Sequence, residues 1–321
     1  MNKMWILSLF LILSLSGFER SDDNDYSAYH RSIIETETYL SEQEFERALS
    51  NYKQLFQRYD FVFLRDLKIA VQLAIYLDQK TVALEWIRKG IAMGWELEDI
   101  EKMDSLGALQ KEPEWELIEQ AYDKLRDQYE ERIDTGMREH VKEMFKKDQK
   151  KAMGALLRIG NKAQEKHAIK KFAPHSEMQI SELIKMLSNK GYPGEKLIGN
   201  DYWMATILSH HNSITQEYVI NDTLYNYIKP MLKKAIQKGE MSPYEYALVD
   251  DWQIAVSSGR TNPGYGFLMS PAHSSLSETN QLRQSIGLRT IELRNKLVEV
   301  ETKTGMNFYL PDWVKGEITV K

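Results

Sequence analysis

The chain has 321 residues, 42% of them apolar and 28% charged, and a formal net charge of -5. That balance excludes a disordered chain, and the small acidic excess argues against a general nucleic-acid binder. Cysteine is absent, which excludes disulfides, a thiol nucleophile, thiolate metal ligands and lipid attachment through a cysteine.

The N-terminus reads as an address. Lys3 supplies a positive start, and Trp5 to Leu15 is apolar apart from Ser8 and Ser14. Ser14 and Ser16 place small residues ahead of a cleavage point after Ser16. The apolar run is shorter than the ~20 residues of a bilayer crossing, so 1–16 is expected to be a secretory signal peptide. Residues 17–25 follow as a flexible lead-in. No later run approaches membrane length, and the processed chain is expected to have no stable membrane span.

Amphipathic helices dominate the first half. Ala48, Tyr52 and Phe56 recur at i, i+4 and i+8, and Ala83, Ile87 and Ile91 repeat that stripe 35 residues later. Between them, Phe63 to Leu77 carries Leu67, Ala70, Val71, Ala74 and Ile75 on one side. Over Tyr26 to Trp95 this pattern resembles the tetratricopeptide repeat, whose period is about 34 residues. The resemblance implies paired helices and a concave surface for a protein or peptide partner. Glu114 to Met144 reads as a long charged helix with Trp115, Ile118, Tyr122, Leu125 and Tyr129 as its stripe. Within it, Glu130 to Gly136 marks a candidate boundary, giving a repeat unit over 26–132. The basic cluster Lys146-Lys147 with Lys150-Lys151 is flanked by acids and reads as a solvated face.

In the second half, turn residues punctuate helices. Ser181 to Asn189 reads as a helix capped by Ser181, and Gly191-Tyr192-Pro193-Gly194 as a turn. Helices are expected over Tyr202 to His211 and Pro230 to Gln237, with another entered through Ser242-Pro243-Tyr244-Glu245. Only Ile318-Thr319-Val320 looks β-like.

Widely spaced motifs run through this half. They are Asp148-Gln149-Lys150-Lys151, Gly191-Tyr192-Pro193 with Gly199, His210-His211, Gly239-Glu240, Ala247-Leu248 with Asp250 or Asp251, Tyr265-Gly266-Phe267, and Ile286-Gly287-Leu288. In that order they resemble an uncharacterised bacterial family defined by a domain of unknown function, over about 144–294. The family has Gln before its histidine and Thr after Tyr-Gly, and this chain departs at both places. The resemblance implies a bacterial protein, which together with the export signal means a periplasmic or secreted one, and it brings no assigned chemistry.

Read from the residues, His211, Asp251, Glu240 and Tyr265 are the catalytic candidates, and a ligand site would add His210, Asp250, Trp252 and Tyr192. A histidine with acids suits metal-assisted hydrolysis or metal-free acid–base work. Neither His-x-x-x-His nor His-x-Asp spacing is present, so no metal is assigned. Ser209 with His211 lacks a nucleophile elbow, and Gly264-Tyr265-Gly266 lacks the phosphate-loop lysine, so no cofactor is expected. The same residues would equally serve as a buried polar network between helices.

The expectation is an all-α exported protein: tetratricopeptide-like hairpins, a helical domain over 133–300, and a tail over 301–321. A protein- or ligand-binding module fits this best, with a hydrolase using the His/Asp/Glu cluster as the alternative.

Overall fold

The computed structural model describes residues 25–156, 160–310 and 316–321. The expected signal peptide, and all of the lead-in before Asp25, lie outside the described residues. Among the described residues every regular element is helical, and the fold is all-α.

Asp25 begins the first helix, its carboxylate accepting from the Ser27 N–H above α1 (Tyr26–Ser41). There follow α2 (Phe45–Arg58), α3 (Leu64–Tyr76) and α4 (Lys80–Ala92). The repeated stripe is buried in both places: Ala48, Tyr52 and Phe56 on α2, Ala83, Ile87 and Ile91 on α4. Helix α1 packs on α2 and α3 on α4, so the pattern of small and bulky residues becomes the inter-helix seam. Two 3₁₀ turns and α5 (Leu97–Glu101) fill the irregular stretch that follows.

The charged stretch from 114 to 144 is two helices, not one. Helix α6 (Trp115–Arg132) stops where Ile133 turns extended. Asp134 then restarts the chain: its carboxylate accepts from Met137 N at 2.8 Å, while its own N–H donates to Leu197 O. Helix α7 (Thr135–Leu156) leads, through α8 (Asn161–His167) and a π turn, to α9 (Ala173–Asn189). Ser181 is not a cap. It lies inside α9 and bonds back to Glu177 O, because the helix already starts near Pro174, in its first turn.

Helices α10 (Glu195–Ile198), α11 (Trp203–His211) and α12 (Gln216–Asn221) precede α13 (Leu224–Gln237). Pro230 lies inside α13 instead of starting it. The Asp222 carboxylate takes the N–H groups of Leu224 and Tyr225, which sets the start of α13 earlier than the proline suggested. Ser242 caps α14 (Pro243–Ser257) as expected, accepting from Glu245 N. Helices α15 (Leu276–Ser285) and α16 (Ile291–Thr304) complete the set.

Two main apolar cores result. One joins α1 to α6; the other joins α7, α9, α11, α13 and α14. Leu297 and Val300 of α16, with Met306 and Phe308 beyond it, belong to the first core. Asn307 exchanges two hydrogen bonds with the Gln72 side chain, so the chain returns to α3 near its end. The residues 318–320 form no strand; Ile318 is buried, and Lys321 N donates to Pro271 O instead.

Candidate functional site

Helix α14 carries both aspartates into the second core. Asp250 Oδ1 accepts from Tyr225 Oη at 2.9 Å and pairs with Lys229 Nζ at 2.7 Å. Its Oδ2 takes Tyr265 Oη and Tyr246 Oη at 3.2 and 3.4 Å. Asp251 accepts three backbone N–H groups, from Tyr265, Phe267 and Leu268, at 2.7, 2.9 and 3.0 Å. A side chain on Gly264 would collide with that carboxylate, and φ is +54° there, so glycine is required. The aspartate pair therefore fastens the Gly264-Tyr265-Gly266 loop. Burial pushes the Asp251 carboxyl up to about 6, against the three N–H groups that hold it down.

The two histidines diverge, as adjacent residues on a helix must. His211 is fully buried; Nδ1 lies 2.8 Å from Ser176 Oγ and Nε2 3.0 Å from Asp222 Oδ2. His210 keeps its ring partly exposed and places Nδ1 2.5 Å from Asp148 Oδ2, on a carboxylate that is itself fully buried. Asp148 and His210 belong to two of the motifs noted in the sequence, and α7 and α11 bring them together. Glu240 sits elsewhere, accepting from Tyr192 N at 3.0 Å and so bracing the turn before α10. Trp252 lies beside the Arg260 guanidinium. Among the described residues no group of three His, Asp or Glu is placed to hold a metal.

None of these candidates lines the main cavity. That cavity, about 240 Å³, lies between the first helices and the second half of the chain. Helix α1 contributes Glu37, the start of α3 contributes Arg65, Asp66 and Lys68, and Glu195 and Asn200 come from α10 and the turn after it. Tyr244 and Glu245 stand in the first turn of α14, and Arg289 follows α15. The volume equals the share of roughly eight liquid waters, enough for a small molecule.

One side of the cavity is an ionic lattice. Glu37 receives Arg289 through Nε and Nη2, and Arg65 through Nη2 at 3.0 Å. Burial pushes the Glu37 carboxyl up, but the two guanidiniums outweigh it and hold the group below its usual range. Asp66 takes Arg65 Nη1 at 3.1 Å and Tyr29 Oη at 2.7 Å. Both guanidiniums lie over the Tyr244 ring, at 5.2 and 4.8 Å. Arg289 reaches this position because Gly287, at φ +78°, passes against the Cβ of His30 where a side chain would clash.

The other side is different in kind. Glu195 accepts from Leu64 N at 2.6 Å, and Glu245 from Tyr192 Oη at 2.7 Å. Neither has an ion-pair partner among the described residues. Burial pushes the Glu195 carboxyl up to about 7 and that of Glu245 up to about 8, so near neutrality both are largely or half protonated. Three polar atoms on wall residues are buried without a partner: Arg289 Nη1, Tyr244 Oη and Asn200 Oδ1.

Sequence reasoning missed these residues although they adjoin the motifs it used. Glu195 follows Gly-Tyr-Pro-Gly, Arg289 follows Ile-Gly-Leu, and Glu245 closes the Ser242-Pro243-Tyr244-Glu245 helix entry. Glu37, Arg65 and Asp66 carry no local signal, since only the packing of distant helices joins them. No family profile, curated protein sequence or solved structure matches this chain.

Proposed function

We propose that this protein is an exported bacterial binding module that holds a small polar molecule between its repeat-like helices and its second half. The cavity carries the reading, because polar and ionisable side chains from six separate segments converge on its walls. Such a convergence around a recessed space is the usual mark of a ligand site. Export rests on the Lys3 start and the apolar run to Leu15. The resemblance of the first helices to tetratricopeptide repeats adds a second surface, open to a protein or peptide.

The test is a thermal-shift screen of the processed chain against sugars, amino acids, small organic acids and nucleosides, repeated on Ile34→Trp. Ile34 lines the cavity, and tryptophan there fills it. A compound that raises the wild-type midpoint and leaves Ile34→Trp unmoved supports the reading. Equal stabilisation of both proteins places binding elsewhere and defeats it.

One observation favours a second reading, acid–base chemistry in the second half: the buried Asp148 carboxylate orients His210, whose ring remains reachable. If that pair is catalytic, a hydrolytic activity found with model esters or amides will vanish in His210→Ala and survive in Ile34→Trp.

A further inference from the structure

We propose that the cavity takes a free α-amino acid, its ammonium held at Glu195 and Glu245 and its carboxylate at Arg289 and Tyr244. This rests on the small-molecule reading above and gives that site its ligand class.

The carboxyl side sets the first requirement. Buried carboxyls are ordinarily paired with a cation, and neither of these makes a close ion pair among the described residues, although Arg132 and Lys68 face Glu195 from further off. Glu195 uses Oε1 on Leu64 N, and Glu245 uses Oε1 on Tyr192 Oη. Among the described residues no hydrogen bond reaches Glu195 Oε2, while the Glu245 carboxyl also has the Ser242 N–H against it. An ammonium against them supplies the close cation that both lack and a donor for Glu195 Oε2, which a neutral hydroxyl group does only in part. Burial, with Asp66 facing Glu195 and Glu195 facing Glu245, keeps both groups protonated into the neutral range. It does so against Arg132 and Lys68 at Glu195 and the Tyr192 and Ser242 donors at Glu245, so ammonium binding there expels a proton.

The opposite side sets the second requirement. Arg289 is 2% exposed and spends Nε and Nη2 on Glu37, leaving Nη1 with no partner. Tyr244 Oη is likewise buried and unpartnered, and its ring lies 4.8 Å from the same guanidinium. Two adjacent unpaired donors, one of them cationic, match a carboxylate. An amino acid is the smallest common molecule that presents an ammonium and a carboxylate together, and the cavity has room for one.

The experiment titrates the full processed chain with the free amino acids by calorimetry, in two buffers of different ionisation heat at pH 7.5. The best amino acid is then compared with its decarboxylated amine, its des-amino acid and its amide. The expected result is binding with proton release, weakened about tenfold or more in each analogue. Glu195→Gln should reduce the proton release, and Tyr244→Phe should weaken the amino acid more than its decarboxylated amine. An analogue lacking either charged group that binds as tightly as the amino acid overturns the proposal. So does a sugar or nucleoside blocked by Ile34→Trp when no amino acid binds, and in that case the cavity reading survives. If no class of compound binds, both fail.

Discussion

Glu37 and Arg289 stand 252 residues apart and form a two-pronged ion pair, with side chains 2% exposed on each side. The pair ties α1 to the segment entering α16 and so fixes one wall of the cavity. In such a setting the partner left behind matters more than the bond that is lost. Arg289→Ala would leave the Glu37 charge buried with Arg65 alone, and breaking a buried pair this way typically costs about 3–5 kcal/mol. Urea unfolding should show a midpoint lowered accordingly. Glu37→Gln combined with Arg289→Met should recover part of the loss, because no uncompensated charge then remains.

Asp251 makes a comparable prediction for the second core. Its two oxygens hold three consecutive-loop N–H groups, and nothing else in the described structure is bonded to those donors. Asp251→Ala strands all three, with an expected cost of about 3–6 kcal/mol at roughly 1–2 kcal/mol per donor. Hydrogen exchange should localise the effect: the amides of Tyr265, Phe267 and Leu268 lose protection first. Unchanged protection at those amides would show that the loop is held by packing instead.

How far these features were legible depends on their range in sequence. The stripe through Ala48, Tyr52 and Phe56 and its repeat at Ala83 were readable because helical burial is written every three or four residues. The Ser242 cap was readable for the same local reason. The break at Ile133-Asp134 shows in the sequence only as a boundary: the Asp134 cap on Met137 N is local and legible, but the bond from Asp134 N to Leu197 O that fixes the turn lies far along the chain. Asp250 and Asp251 stood out as a pair, but the sequence left their roles open: network member or catalyst. The Glu37–Arg289 pair was invisible, because neither residue has a local reason to be buried and each becomes so only through the other.

The two unpaired carboxyls give the protein a pH dependence whose sign is fixed by burial. A glutamate that titrates near 4.5 when unfolded and at about 8 when folded binds its proton more tightly in the folded state. Its stabilising share is whole below about pH 4.5 and is lost as pH rises towards 8. Glu195 acts in the same direction up to about 7. Glu245→Gln removes the larger of these effects while keeping an oxygen for Tyr192 Oη. The variant should match the wild type near pH 4.5 and exceed it above pH 8, by up to about 4–5 kcal/mol. Thermal melts at pH 4.5, 6.5 and 8.5 check this; parallel curves for the two proteins would mean that Glu245 is ionised in the fold.

Ser176, His211 and Asp222 form a hydrogen-bonded chain that invites comparison with a hydrolytic triad, and its surroundings argue for a structural role. Ser176 and His211 are both fully buried, so no substrate carbonyl can reach the hydroxyl. Asp222 is already committed to the N–H groups of Leu224 and Tyr225 as the start of α13. His211 thus joins α9 and α11 to that cap, with the Tyr218 ring set edge-on at 5.6 Å. A fluorophosphonate probe should leave Ser176 unlabelled in the native protein. Ser176→Ala should cost about 1 kcal/mol by removing one partner of a buried hydrogen bond, with ligand binding at the cavity unchanged. Labelling at Ser176, abolished by His211→Ala, would instead show that the seam between α9 and α11 opens and that the chain of three is reactive.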